Sequence, residues 1–546
     1  THQIVTGANN ISEGDVIPIA LPGAVMASGL KIKASALRGV DSNGMLCSET
    51  ELGVEETVDG IWILDPETPL GVDFLDYAWL QDVVYDISIL PNRGDCHSIY
   101  GLARDLAALC QLDLKEPEIH SPDLTEYCQD FDGKFTVQNE AEDLCPLYTL
   151  AKIEGVQSAK TPLWMQRKLQ LSGLRPISLL VDITNYVLLE LGQPLHAFDA
   201  SRLDSSILLR RAAATETLLT LDEEERALTD EMLMIADTKK ALAVAGVMGG
   251  KNSEISDQTQ TVLLESAWFL PTSIRRTQIK LGLRTDSAVR FEKGVDYDGV
   301  EKASKRAQYL MSTLAGATPA SQMIRSEVSK NEYSQSTSTE LSFQAVEKLL
   351  GIACDKAICV SGLGALGYSL TEKTKDLYEI QMPSWRRRDI TGWQDIAEDI
   401  ARIIGYDAIE VSHEQSFVPM TESSPLESLR QKTTDFMVHN GFLQAVSFPM
   451  IDPNAYPSLY LGAEKVVSDA LTLQNPLTPK ESVLRESIVP SLLTIHAHNQ
   501  NRQCDRQSFF EVGTVFSEHE GQVEEALCLG ALLSGAFGSS HHELIS

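Results

Sequence analysis

Residues 261–270 read TVLLESAWFL, an apolar run of strand length with one carboxylate, Glu265, near its centre. β-branched and aromatic residues suit a pleated, buried surface, and the run is too short for a buried helix. The run predicts a strand with apolar neighbours on both sides of Glu265. A carboxylate so placed is expensive unless it is paired or hydrogen-bonded. A second stretch, LGQPLHAFDA at 191–200, poses the same problem for an imidazole. His196 stands there among leucines, a proline and a phenylalanine. Taken singly, each residue reads as a satisfied structural polar group. Taken together, they read as partners in one site by the geometric criteria for an active site.

Working outward, the region to about residue 335 carries further strand-like runs, DITNYVLLEL (182–191) and LMIADTKKALAVAGVMGG (233–250). It offers Arg175, Thr184, Asn185, Thr285 and Ser287 as polar candidates, and Gly246, Gly249 and Gly250 as a backbone able to approach a ligand closely. Upstream, residues 1 to about 75 alternate short apolar runs with glycine and proline, the spacing of a small β-barrel or sandwich. There DSNG (41–44) predicts a tight turn. ISILPNRGDCHSIYGLARDLAALCQL (87–112) reads as strand, turn and helix, with Ile99, Leu102, Leu106 and Leu109 as one apolar stripe. Downstream, SEVSKNEYSQSTSTE (326–340) reads as a linker, followed by a compact unit over about 339–411. A further α/β domain begins near 424, where Ser424 and Pro425 make an N-cap and first turn and Gly441 a stop. Its later strands are SFFEVGTVF and ALCLGALLSGAF.

At 546 residues the chain is too long for one hydrophobic core. No apolar run approaches the ~18 residues of a membrane span, and THQIVTGANN at the start lacks the pattern of a secretion signal. Nine cysteines without a CxxC pair fit reduced thiols better than a disulfide framework or zinc site. A net charge of −32 argues against non-specific coating of nucleic acid but leaves room for local basic strips. These features predict a soluble, cytoplasmic, multidomain protein. No GxxxxGK[ST], HExxH or GxSxG occurs, and GVMGGKNS alone is a weak phosphate signal.

The densest acidic pattern is RRRDITGWQDIAEDIARIIGY (386–406). Asp395, Glu398 and Asp399 fall at i, i+3 and i+4 on one helix face, with Ile396, Ile400 and Ile403 opposite. Asp389 lies just before the helix and can fold back. Carboxylates without thiol or imidazole are hard oxygen ligands suited to Mg²⁺. The alternative is a solvated acidic face offset by Arg386, Arg387, Arg388 and Arg402.

Several long stretches in one order, GAVMASGLKIKASALRGVDSNGMLCSETELG, LPNRGDCHSIYGLARDLAAL, DITNYVLLELGQPLHAFD, GVMGG, GLRTDSAVRFEKGVD, PSWRRRDI with EDIARIIGYDAI, NPLTPKESVLRESIVPSLL and FFEVGTVF, resemble the β-chain family of bacterial phenylalanyl-tRNA synthetases. The resemblance covers essentially the whole chain. It implies a multidomain α+β protein. Residues 1–75 would be a partial OB-fold tRNA-binding barrel and 76–130 a small α/β domain. Residues 131–335 would be a mixed α/β editing domain and 339–411 a small winged-helix-like domain with the acidic helix. Residues 420–546 would be a degenerate class II synthetase-like antiparallel-sheet domain. The first and last of these lack parts of the family pattern, so a form truncated at both ends is expected.

The resemblance further implies an (αβ)₂ heterotetramer with a phenylalanyl-tRNA synthetase α chain that charges tRNA-Phe using ATP bound outside this chain. It implies no membrane and no DNA partner. It also implies an editing site here that hydrolyses mischarged Tyr-tRNA-Phe. An apolar pocket rejects an added hydroxyl weakly, whereas a site with a polar partner can demand it. Carried over by motif, Glu265 would accept a hydrogen bond from the tyrosine hydroxyl. His196, Thr184 and Asn185 would position the aminoacyl end and water, Arg175 and Thr285 would shape the pocket, and Gly249 would leave room for the ring. Ser287 stands where many relatives carry alanine. Asp389, Asp395, Glu398 and Asp399 match the family's Mg²⁺ positions, which implies Mg²⁺ bound at the acidic cluster and shared with the α subunit, with one residue more than usual between Trp385 and Asp389. The rival readings are a tRNA-binding and assembly scaffold with an inactive pocket, and a free-standing aminoacyl-ester hydrolase.

Overall fold

The computed structural model describes residues 2–54, 58, 60–119, 126–204, 206–329, 331–411, 423–455 and 471–535. The chain forms two units, Thr1–Val411 and Ser412–Ser546, and is a mixed α/β, multidomain protein. No helix among the described residues is long and apolar enough to cross a membrane.

Glu265 does lie in a strand, Thr261–Trp268, inside a five-stranded sheet. Its order is Glu126–Cys128, Gln322–Glu327, Leu147–Glu154, Thr261–Trp268, Leu195–Asp199. Both neighbours of the Glu265 strand are antiparallel to it. Side chains alternate across a strand, so Leu263, Glu265 and Ala267 share one face while Val262 and Leu264 share the other. The first face packs Tyr148, Leu150, Phe198 and Leu263 against Leu209, Met234, Ile235 and Val244. Those four belong to a six-stranded sheet that runs from Met248–Gly249 to Asp130–Phe131. The other face packs Ala151, Ile153, Val262 and Leu264 against Ile183 and Val187 of the Leu179–Leu191 helix and Ala307 and Met311 of Gly299–Ala315. With ~1.5–3 kcal/mol for each fully buried aliphatic or aromatic side chain, two such layers hold the sheet rigidly between them.

The DITNYVLLEL run is helix, not strand. It sits in Leu179–Leu191, entered from extended Ser178 and ended by Gly192 at φ 77°. Buried Leu180, Ile183 and Val187 follow the 3–4 spacing of one helix face. At thirteen residues the element is longer than ordinary strands, and length outweighs β-branched content. The strands read from LMIADTKKALAVAGVMGG form, as Leu233–Ala236, Ala241–Val244 and Met248–Gly249, and pair antiparallel in sequence.

In residues 1–75 the described strands make two separate antiparallel pairs, Ile19–Ala20 with Met45–Leu46 and Ser35–Leu37 with Val40–Ser42. The hairpin turn is Arg38-Gly39, both at positive φ (52° and 83°), as a two-residue type I′ loop requires. Asn43-Gly44, the expected turn, joins strands that do not pair with each other. The Ile99–Cys110 helix forms, N-capped by Ser98, but its apolar stripe is not core. Ile99 and Leu106 are each 59% exposed, because the helix buries its small residues Gly101 and Ala108 instead.

The 339–411 region holds a three-stranded antiparallel sheet, Ser338–Ser342, Leu377–Gln381 and Ser369–Glu372. Helices Phe343–Leu350, Lys356–Ala365 and Trp393–Ile404 cover one core with it. In the second unit, helix Pro425–His439 is capped by Ser424 and followed by Gly441 at φ 84°, as expected. Strands Gln507–His519 and Gln522–Ser534 pair along their full length. The expected domain limits at 420 and 546, and Lys330 of the expected linker, lie outside the described residues.

Candidate functional site

Glu265 and His196 are direct cross-strand partners, and both side chains rise from the same face of the sheet. They line a cavity of about 60 Å³ with Pro194, Gly246, Gly249, Ser287 and Phe291. Glu265 is 5% exposed. Its Oε2 accepts a hydrogen bond from Tyr148 Oη at 3.0 Å. Burial pushes its carboxyl up to about 8, against the Tyr148 hydrogen bond that favours the ionised form. The group is therefore mostly protonated at neutral pH.

His196 is shifted the other way. Burial pushes the imidazole down to about 4, so it is neutral at pH 7. Part of the residue is exposed, but Nε2 is buried and has no hydrogen-bond partner. The ring stands edge-on to Phe198, with centroids 4.4 Å apart. Glu265 and His196 thus share a wall without hydrogen-bonding to each other.

The glycine-rich turn closes over them. A Cβ on Gly249 would lie 2.5 Å from His196 Cε1 and 3.0 Å from Leu221 Cδ1, so only glycine leaves the ring where it is. Gly246, at φ 67°, makes the turn and sits against Phe269, Ile274 and Phe291. Thr285 fixes the next wall. It N-caps the Asp286–Lys293 helix, accepting from Ala288 N at 3.1 Å, and donates to Val247 O at 2.8 Å. This sets Ser287 and Phe291 at the cavity.

Three expected residues are elsewhere. Thr184 and Asn185 lie on the Leu179–Leu191 helix, whose core residues pack on the opposite face of the sheet. Thr184 donates its hydroxyl to Val181 O at 2.7 Å within that helix. Arg175 is exposed in the turn before it. None of the three lines the Glu265 cavity.

The acidic residues do not converge. Asp399 is 1% exposed and bound by Arg386 at 3.0 Å, Arg402 at 3.1 Å and Tyr368 Oη at 2.6 Å. Asp395 folds back on its own helix start, accepting from Thr391 N at 2.7 Å and Gly392 N at 3.1 Å. Glu398 accepts from Asn92 Nδ2 at 3.1 Å. Burial pushes Asp389 up to about 6, against the pull of Arg386. Among the described residues no three acidic, histidine or cysteine side chains can hold a metal ion together. Guanidinium groups, a helix cap and an amide hold the oxygens of Asp399, Asp395 and Glu398 in this arrangement. Asp399 turns inward beside Ile396 and Ile400.

Comparison with known proteins places these elements. Residues 144–316 match the B3/4 domain, 339–406 the tRNA synthetase B5 domain, and 409–543 the phenylalanyl tRNA synthetase beta chain CLM domain. The chain is 38% identical over 544 residues to the phenylalanine–tRNA ligase beta subunit of Carboxydothermus hydrogenoformans, covering 98% of this chain and 66% of that one. It is 40% identical over 547 residues to the corresponding subunit of Syntrophus aciditrophicus, with the same coverage. The chain belongs to the phenylalanine–tRNA ligase beta subunit family.

It spans 66% of the length of these curated relatives. Among solved structures, an N-terminal fragment of the Pyrococcus horikoshii phenylalanyl-tRNA synthetase beta subunit aligns at TM-score 0.32 and 16% identity, over 60% of this chain and 90% of that one. His196, Gly249, Glu265 and Ser287 all fall within the B3/4 match, and Asp389, Asp395, Glu398 and Asp399 within the B5 match. Tyr148, the hydrogen-bond partner of Glu265, has no signal in its own stretch. It is 117 residues away in sequence and becomes visible only once the two strands pair.

Proposed function

We propose that the chain acts as the β subunit of a phenylalanine–tRNA ligase, and that its Glu265–His196 cavity hydrolyses mischarged Tyr-tRNA-Phe. In this reading it assembles in the cytoplasm with an α chain as an (αβ)₂ heterotetramer, which charges tRNA-Phe with phenylalanine at the expense of ATP. Residues 1–75 serve as the tRNA-binding OB-fold, 131–335 as the editing domain and 420–546 as a degenerate class II synthetase-like domain. ATP is bound outside this chain, and Asp389, Asp395, Glu398 and Asp399, the positions that match the family's Mg²⁺ pattern, hold Mg²⁺ shared with the α chain.

The observation that carries the editing reading is the pairing of a buried carboxyl and a buried, unpartnered imidazole nitrogen beneath a turn that only glycine can make. A buried polar group left without a partner favours the ligand that supplies one. Glu265 offers an acceptor to a tyrosine hydroxyl, and phenylalanine leaves that acceptor unanswered. His196, neutral at pH 7, orients a water for attack on the aminoacyl ester, takes its proton at Nε2 and returns it to the ribose oxygen that leaves as the acyl C–O bond breaks. The cavity of about 60 Å³ has room for about four waters at ~15 Å³ each. A phenol ring is larger, so admission requires the Met248–Gly249 and Ser287–Phe291 walls to part. Thr285 acts on substrate indirectly, by holding those walls together. Roles for Thr184, Asn185 and Arg175 would have to be at the aminoacyl end rather than in this cavity.

The test is deacylation of Tyr-tRNA-Phe and of Phe-tRNA-Phe by the chain assembled with its α partner. Selective loss of tyrosine is expected in the wild type, and Glu265→Ala is expected to erase the selectivity. A wild type that deacylates neither substrate would reduce the chain to a scaffold.

A further inference from the structure

Tyr148 is fully buried and does not line the Glu265 cavity, yet it is the residue that holds the carboxyl. On the Leu147–Glu154 strand, Leu150 stands directly opposite Glu265 and Tyr148 directly opposite Ala267. Tyr148 is therefore the diagonal neighbour of Glu265 on one face of the sheet, a spacing that a long aromatic side chain bridges. The single methyl of Ala267 leaves the ring room to lean across, and Tyr148 Oη donates to Glu265 Oε2 at 3.0 Å.

The last torsion of a glutamate side chain is broad, so nothing covalent decides which of its oxygens faces the cavity. Among the described residues Tyr148 is the one side chain that hydrogen-bonds to Glu265, and Oε1 takes no partner. The other titratable groups beside the carboxyl are His196, its cross-strand partner, and Cys145. Burial pushes the Cys145 thiol and the Tyr148 hydroxyl well above their ordinary values and the imidazole below its own. All three are uncharged at neutral pH, so none of them outbids the Tyr148 hydrogen bond for the carboxyl. Phenylalanine would fill the same space without a hydroxyl that needs a partner.

We propose that Tyr148 is a specificity-determining positioning residue: by donating to Oε2 it turns Oε1 toward the cavity as the acceptor for a substrate phenol. The proposal rests on reading the Glu265 cavity as the site that hydrolyses Tyr-tRNA-Phe. With tyrosine in place, the carboxyl accepts from two phenols, Tyr148 at Oε2 and the substrate at Oε1. Both bonds favour the ionised carboxylate against the burial that disfavours it. Phenylalanine supplies no second donor, so Tyr148 alone holds the carboxyl and the bond that marks tyrosine is never made.

The test compares wild type, Tyr148→Phe, Glu265→Gln and the double variant, each assembled with the α partner, on Tyr-tRNA-Phe and Phe-tRNA-Phe. Melting temperatures first establish that each variant is folded. Tyr148→Phe keeps the ring, and should lower the tyrosine-to-phenylalanine hydrolysis ratio about 10-fold, the worth of one hydrogen bond. The loss should fall on KM for Tyr-tRNA-Phe. In the Glu265→Gln background the same substitution should change the ratio by less than about 2-fold, because Tyr148 acts through the carboxyl. Wild-type selectivity should titrate with Glu265, near pH 8. Without the Tyr148 donor its midpoint should move up by about one pH unit, since that hydrogen bond favours the ionised form. An unchanged ratio and midpoint in folded Tyr148→Phe, or equal losses in both backgrounds, would overturn the proposal and leave the editing reading standing. A wild type that deacylates neither substrate would sink the editing reading and this proposal with it.

Discussion

Glu265 and His196 face each other across adjacent antiparallel strands, yet Glu265 takes its hydrogen bond from Tyr148 and His196 Nε2 takes none. Burial moves the two groups in opposite directions and leaves both uncharged near neutrality. The pocket can therefore accept an uncharged phenol and an ester without first displacing a salt bridge.

Glu265 has a folded pKa of about 8 against an ordinary value of 4.5. Between those values the folded state holds a proton that the unfolded chain has released. Its contribution is complete below 4.5 and is lost as pH rises toward 8, at about 1.4 kcal/mol per pH unit. Glu265→Gln removes this dependence. Denaturant melts at pH 5, 6.5 and 8 should show the variant gaining on the wild type as pH rises. A constant difference would mean that Glu265 is ionised throughout.

His196 works in the other direction. Its folded pKa of about 4 lies below 6.5, so the unfolded chain binds the extra proton in that interval. Its contribution is present above 6.5 and is lost as pH falls toward 4. His196→Asn should flatten the acid limb of the stability curve between these values. It should also lower Tyr-tRNA-Phe deacylation at pH 7 by about 10²–10³-fold if the imidazole handles the proton of the attacking water.

Gly249→Ala forces a Cβ to within 2.5 Å of the His196 ring. Relief by ring displacement should cost about 1–3 kcal/mol of stability and abolish selective deacylation. Melting temperature and the tyrosine-to-phenylalanine hydrolysis ratio check the two parts separately. An active variant would mean that the ring position does not matter.

Asp399→Ala leaves Arg386 (4% exposed) and Arg402 without their shared carboxylate. Breaking a buried pair on one side costs roughly 3–5 kcal/mol, so a large fall in melting temperature is expected. Chelation by EDTA should lower the wild-type melting temperature and Mg²⁺ should restore it; no change on chelation would sink the metal reading of this cluster.

Much of the site was legible in local pattern. Glu265 inside TVLLESAWFL reads as a buried carboxyl that needs a partner, and GVMGG reads as a tight turn or a close packing contact. The strand periodicity around Glu265 and the cap at Ser424-Pro425 hold because they depend on neighbours a few residues away. The misreadings have more than one cause. DITNYVLLEL has strand-like composition but helical burial, the Ile99 stripe is apolar but outward, and Asp399 is acidic but inward. In the first two, the partner that decides orientation comes from a distant segment, whereas Asp399 is drawn in by Arg402 and Arg386, three and thirteen positions away.

Chain chemistry therefore sufficed for which groups are costly to bury and for the order of segments that places the chain in its family. Folding alone set Glu265 against His196, assigned Tyr148 as the carboxyl's donor, put Thr184 and Asn185 on the far face of the sheet and paired Asp399 with Arg386 and Arg402. The physical reason is that side-chain alternation and helix periodicity are local, whereas strand register and ion pairing join residues that stand far apart in the chain, as Tyr148 and Glu265 do at 117 positions.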